Sequence, residues 1–243
     1  MQNELIAPED LGFGWRDLVL ALLVFLCGGI AVVFLGRFVA SLLILPPSTG
    51  LLSPVAYVSG VGLYLMLLLG IYLFGARRAG WAALGIRGTS WLNIALVPLL
   101  FIVGLSVMLA VTKLMTMLVG SFENPQVNAI SGGKAMSLGE LGAGLLLIAV
   151  LVPFVEELFF RGMLYPLLRR RAPAALAIVA NAAIFAIIHM IPVLIPSLFV
   201  IGLCLAFLRE RSGSIWPCVF YHAMQNGLAM LAIYVALNTG MIK

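Results

Sequence analysis

Glu156, Glu157, Arg161, His189, His222 and Asn226 stand out as polar residues set in apolar surroundings. The first three fall in the run V-P-F-V-E-E-L-F-F-R-G. The two histidines, the only ones in the chain, lie in N-A-A-I-F-A-I-I-H-M and F-Y-H-A-M-Q-N-G. A carboxylate held away from bulk water can act as a general base toward a water molecule. A neighbouring imidazole can hold that water or relay a proton to a leaving amine. An amide and a second imidazole can donate hydrogen bonds to a developing oxyanion. These are the parts of a peptide hydrolase that uses no side-chain nucleophile. Glu156, His189 and His222 also match the Glu-plus-two-His set of zinc proteases, although the one-turn HExxH spacing is absent.

Spacing separates the two carboxylates. Glu157 and Arg161 are four positions apart, so on a helix they share a face and can form an ion pair. Glu156 points about 100° away from Glu157 around the helix axis, and no basic residue stands at helical spacing from it. A purely architectural role therefore suits Glu157 and Arg161 better than Glu156. Asn226 follows His222 by one turn, on the same face.

The elements that must carry these residues are membrane spans. The chain has 243 residues, of which 63% are hydrophobic and 9% charged. An ordinary soluble domain is about 45–50% apolar and about 25% charged. So much apolar surface has to face lipid or other spans. We expect an all-α, polytopic transmembrane bundle of about seven spans, within a range of six to eight. It would form one integral membrane domain over 1–243, with the motif-bearing core at about 138–237. The spans read as about Leu18–Leu45, closed by Pro46 and Pro47, then Pro54–Ala76, Trp91–Val119 and Leu138–Leu168. A charge-free hairpin over Ala174–Leu208 turns near Pro192 and Pro196, and a last span covers Ser214–Leu237. Arg37, within the first span, is expected to snorkel to an interface. The stretch SFENPQVNAISGGKAMS reads as a polar loop. Cys27, Cys204 and Cys218 read as small buried hydrophobes. The N-terminus MQNELIAPED is acidic, and the first apolar segment is longer than a signal-peptide core, so it reads as a retained span.

These spans bring the polar residues to one depth. At a rise of about 1.5 Å per residue, Glu156 lies about 20 Å from Arg169 and His189 about 22 Å from Ala174. On the same scale His222 lies about 15 Å, and Asn226 about 20 Å, from Gly213. Basic residues then set the orientation. With the N-terminus in the cytoplasm, Arg77, Arg78, Arg87, Arg169, Arg170, Arg171, Arg209 and Arg211 all fall on the cytoplasmic side, as the positive-inside rule requires. Lys134 falls outside, and Lys243 trails at the end. The net charge of +5 is thus explained by membrane orientation, and no nucleic-acid partner is expected.

Three motifs carry a resemblance. E156-E157-x-x-x-R161, F185-x-x-x-H189 and H222-x-x-x-N226 resemble those of the CPBP family, which comprises the CAAX prenyl endopeptidases and the bacteriocin-processing or Abi proteins. The resemblance covers residues from about 140 to 230 and implies an intramembrane endopeptidase in a prokaryotic cytoplasmic membrane. It implies that Glu156 activates water together with His189, and that His222 and Asn226 stabilise the oxyanion. Glu157 and Arg161 fill the remaining motif positions, as architecture. The substrate would be a membrane-associated peptide or protein, with no residue singling out a prenylated one. No cofactor is expected, because the His222–Asn226 pair makes better sense as oxyanion donors than as ligands; zinc held by Glu156, His189 and His222 is the alternative.

Two readings of another kind compete. A transporter or channel could use the same carboxylates and histidines as a proton relay. Such folds often carry repeats, and the sequence shows none. A catalytically silent immunity or scaffold protein would have no need of the intact set of motif residues. The orientation is testable: a cysteine at Lys134 should react with impermeant reagents added outside intact cells, and one at Arg170 should not. The opposite pattern would invert the topology.

Overall fold

The computed structural model describes residues 11–45, 50–120 and 124–241. Pro46 and Pro47, the acidic N-terminal stretch and Lys243 lie outside the described residues. Within them the regular structure is helical throughout. In chain order the helices are α1 Trp15–Leu42, α2 Pro54–Ala79, α3 Trp91–Val119, α4 Pro125–Ser131 and α5 Leu138–Arg169. They continue as α6 Ala174–Ile188, α7 Ile195–Ser212 and α8 Trp216–Asn238. The chain is a polytopic helical membrane protein. Among the described residues, α1, α2, α3, α5, α7 with its leading turn, and α8 are long and apolar enough to cross a bilayer. Their outward faces carry large apolar side chains such as Phe34, Leu99, Leu118 and Val150, as a lipid-facing surface should.

The expected seventh span is α6, and it is short. Its 15 residues reach about 22 Å, less than the ~30 Å hydrocarbon layer. Two features stop it. Met190 adopts a left-handed φ of 57°, which is uncommon for a residue with a side chain, and Pro192 disfavours helix at the residue before it. His189 is therefore the C-cap, delivered to the end of a short helix.

The segment expected to be a polar loop contains α4. Asn124 caps it by accepting from Gln126 N at 3.0 Å, Pro125 occupies the first turn, and Gly132 closes it in the left-handed region. Those are ordinary start and stop signals. The cysteines are only partly as expected. Cys218 is buried and Cys204 half-buried, whereas Cys27 is exposed on the outward face of α1, near the exposed Leu26 and Ile30.

The chain packs as two compact units. The first holds α3, α6 and α7, with α5 from Glu156 onward, α8 through His222, and the neighbouring ends of α1 and α2. The second holds most of α1 and α2, then α4, the first half of α5 and the rest of α8. In the first unit the basic loops meet at one end. Arg78 pairs with Asp17 at 2.8 Å, Arg87 Nε donates to Gly213 O at 2.7 Å, and Arg169 pairs with Glu210 at 3.1 Å. These contacts agree with loops that share one membrane face.

The helix α5 is not uniformly α. It widens to π geometry over Leu145–Leu151 and Leu158–Leu164, either side of the α-helical stretch Val152–Glu157. Val152 N bonds to Leu147 O and Tyr165 N to Phe160 O, both five residues back. In each case the next residue is a proline, Pro153 or Pro166. Each lacks the N–H that would continue the register, which deprives Ile148 O and Arg161 O of their backbone partners. Turns of this kind recur at functional sites.

Close helix approach relies on small residues, as is usual in bilayers. A Cβ on Gly70 would stand 2.5 Å from Ala21 O and 2.9 Å from Ala21 Cα. Gly70→Ala should therefore push α2 off α1 and cost about 1–3 kcal/mol, read as a lower melting temperature in detergent. Gly142→Ala, with open space around its Cβ, should not lower it. Equal melting temperatures for the two variants would contradict this packing.

Candidate active site

Glu156 and Glu157 are the last residues of the α-helical stretch between the two π segments of α5. The polypeptide turns them to different neighbours. Glu157 is fully buried and pairs with Arg161 at 2.9 Å, as its four-residue spacing predicts. The same oxygen, Oε1, accepts a second bond that the spacing does not reveal, from His222 Nδ1 at 2.8 Å. Glu156 retains some exposure, and its Oε2 lies 3.9 Å from His222 Nε2. That distance exceeds a hydrogen bond, yet a single intervening oxygen could bond to both atoms. His222 thus bonds to Glu157 through Nδ1 and turns Nε2 toward Glu156.

The tautomers follow from the partners. His189 Nδ1 lies 2.6 Å from Phe185 O. A carbonyl only accepts, so Nδ1 carries the hydrogen and Nε2 of the neutral ring is left as the acceptor. On His222, Nδ1–H donates to the Glu157 carboxylate, and Nε2 is the nitrogen turned toward Glu156. A carboxylate that holds one imidazole nitrogen fixes the ring's orientation and tautomer.

Phe185 organises this cluster. Its ring is almost fully buried and stands edge-on to His189 at 4.8 Å and to His222 at 5.7 Å between centroids. The Arg161 guanidinium lies over the same ring at 4.6 Å, a cation–π contact. Arg161 also donates to Gly202 O at 3.2 Å. That carbonyl is within reach because α7 runs against α6 at Gly202, where a Cβ would meet Ala182 Cα at 2.9 Å. Asn181, four residues before Phe185, is fully buried and donates to Phe160 O at 2.9 Å. Asn181 and the hub role of Phe185 were not singled out from the sequence. The signal was present, since Asn181, Phe185 and His189 recur every four residues and form one stripe of α6.

Glu156, Glu157, Arg161, His189 and His222 all belong to the first unit. Glu156, Glu157, Arg161 and His222 are brought together directly, and His189 touches the Phe185 ring. Asn226 belongs to the second unit, four residues further along α8. Its amide Nδ2 donates to Ile148 O at 2.9 Å. It therefore takes the carbonyl that Pro153 leaves without a backbone donor, and it keeps a second N–H on the same nitrogen. Among the described residues, no three His, Cys, Asp or Glu side chains gather closely enough to hold a metal ion.

Residues 139–228 match a family model described as type II CAAX prenyl endopeptidase Rce1-like. The match spans all the motif residues and agrees with the family that the three motifs resemble. No curated protein and no solved structure matches the chain.

The buried pair makes a stability prediction. Glu157→Ala strands the Arg161 charge, and Arg161→Ala strands that of Glu157, each at a cost of about 3–5 kcal/mol. Both variants should show a lower yield and a lower melting temperature in detergent. Normal values for both would contradict the pairing.

Proposed function

We propose that this protein is an intramembrane endopeptidase that cleaves a membrane-associated peptide or protein with water activated by Glu156. One observation carries the reading: Glu156 faces His222 Nε2 across 3.9 Å while Glu157 anchors Nδ1 of the same ring. The match of residues 139–228 to a CAAX-type endopeptidase family supports it.

Glu156 takes a proton from water as that water attacks the scissile carbonyl. His189, whose Nε2 is an acceptor in the neutral tautomer, shares in holding the water and passing a proton on to the leaving amine. His222 stabilises the oxyanion. With Nδ1–H given to Glu157, Nε2 can donate only when the ring carries both protons, so this role uses the imidazolium form beside the Glu157 carboxylate. Asn226 supplies a further donor through its second N–H, one turn along α8. Arg161 holds Glu157 in place through its ion pair. The mechanism uses no metal or other cofactor, because the His222–Asn226 pair makes better sense as oxyanion donors than as ligands. The lipid bilayer is the protein's environment, with the N-terminus in the cytoplasm.

Glu156→Gln should abolish proteolysis in purified protein while insertion and folding are kept; robust activity in that variant would end this reading. Asn226→Ala should lower kcat by about 10²–10³ with little change in KM. Pro153→Ala, which returns a backbone donor to Ile148, separates the two jobs of Asn226. The part of the loss that persists in the double variant belongs to the oxyanion. Chelators should leave activity intact. Near-stoichiometric zinc that tracks with activity and is released on replacing Glu156, His189 or His222 would overturn the metal-free mechanism, not the protease assignment.

A further inference from the structure

The second proline of α5 removes the backbone donor that the π register would bring to one carbonyl. Tyr165 N bonds to Phe160 O, five residues back, so Pro166 is the residue that would have bonded to Arg161 O. A peptide oxygen without a partner at this depth is costly. The structure shows what replaces the missing donor. Arg209, in the last turn of α7, donates its Nε to Arg161 O at 2.9 Å. Arg209 is itself buried at 4% exposure, far more enclosed than a basic residue at the end of a span ordinarily is. Room for it comes from Gly85, whose positive φ and missing Cβ leave the guanidinium space; a Cβ there would stand 3.2 Å from Arg209 Cζ.

We infer that Arg209 is a positioning residue for the reaction proposed above, on which the inference rests. It replaces the N–H of Pro166 and so fixes the π register of Leu158–Leu164. The path from it is short. Arg209 holds the backbone of Arg161, the Arg161 side chain holds Glu157, and Glu157 Oε1 holds His222 Nδ1. A slip of α5 at Arg161 would move the guanidinium from Glu157 and release the imidazole. What matters in Arg209 is a donor at the Nε position rather than its charge, which two substitutions separate. Gln carries an amide nitrogen the same number of bonds from Cα as Arg Nε. Met has the same reach and no donor.

The experiment compares Arg209→Met, Arg209→Gln, Pro166→Ala and the double variant Arg209→Met/Pro166→Ala, purified in detergent. Melting temperature is measured, together with kcat and KM on a quenched-fluorescence peptide that the wild type cleaves. Arg209→Met should lose on the order of 10- to 100-fold in kcat with KM little changed, the range expected for misplaced catalytic groups, and should melt at a lower temperature. Arg209→Gln should stay within about threefold of wild type. Pro166→Ala restores a backbone N–H for Arg161 O, so the double variant should recover most of both losses. Wild-type behaviour of Arg209→Met would overturn the proposal, as would a loss that neither Gln nor Pro166→Ala repairs. If Arg209→Met yields no folded protein, recovery of folded protein in the double variant supports the register bond, and failure to recover overturns it. If the wild type cleaves nothing, the proposed reaction fails by itself, and the melting temperatures still decide whether Arg209 stands in for Pro166.

Discussion

A carboxylate with no access to water has to be neutralised where it stands, and Glu157 meets that requirement through a single oxygen. Its Oε1 accepts from Arg161 Nη1 and from His222 Nδ1, with the side chains of Glu157 and Arg161 wholly enclosed. In a medium of low dielectric such charge-assisted bonds are strong, and losing one partner leaves the other exposed to the full penalty of burial. The rest of the cluster is arranged around this necessity. Arg161 is steadied by the Phe185 ring and by Gly202 O. Phe185 in turn stands against both imidazoles. Removing Glu157 would leave His222 without its anchor and Arg161 without a counter-charge, so the acceptor that looks architectural sets the geometry of the groups proposed to do chemistry.

The same accounting applies to the backbone. In hydrocarbon each carbonyl needs a partner from within the protein, and the two prolines of α5 each remove one donor from a π-helical register. Asn226 Nδ2 and Arg209 Nε take the orphaned oxygens of Ile148 and Arg161, while Asn181 Nδ2 reinforces Phe160 O. These polar residues on neighbouring helices therefore serve α5 first of all. They hold a helix that widens on both sides of Glu156 and Glu157, and the turn of about 100° between adjacent residues points the two carboxylates to different ring nitrogens of one histidine.

The two glutamates illustrate how environment divides labour between identical groups. Glu157 is sealed and committed to two partners. Glu156 keeps limited exposure and faces a nitrogen across a gap. A carboxylate held by two charge-assisted bonds is a poor base, and one that keeps some exposure is better placed to take a proton from water. The proposed assignment of Glu156 to water and Glu157 to His222 follows from that difference.

Much of this was legible without coordinates. The apolar runs marked the spans, since nothing but lipid or other spans can absorb them, and Trp91–Val119 has the same limits in sequence and in structure. The Glu157–Arg161 pair followed from helical spacing alone, because partners four residues apart need only the helix to meet. Interactions between helices were not legible. That His222 is held by Glu157, that Phe185 lies between the imidazoles, and that Arg209 leaves the basic loop cluster to serve Arg161 O are contacts across 65, 37 or 48 positions of chain, which no local pattern encodes. The helix α4 inside a polar loop was missed because polarity outweighed its capping signals. The bond from Asn226 to Ile148 O was hidden for the same physical reason as the bond from Arg209 to Arg161 O. A proline deletes a donor locally, but only the packing of helices decides which side chain replaces it.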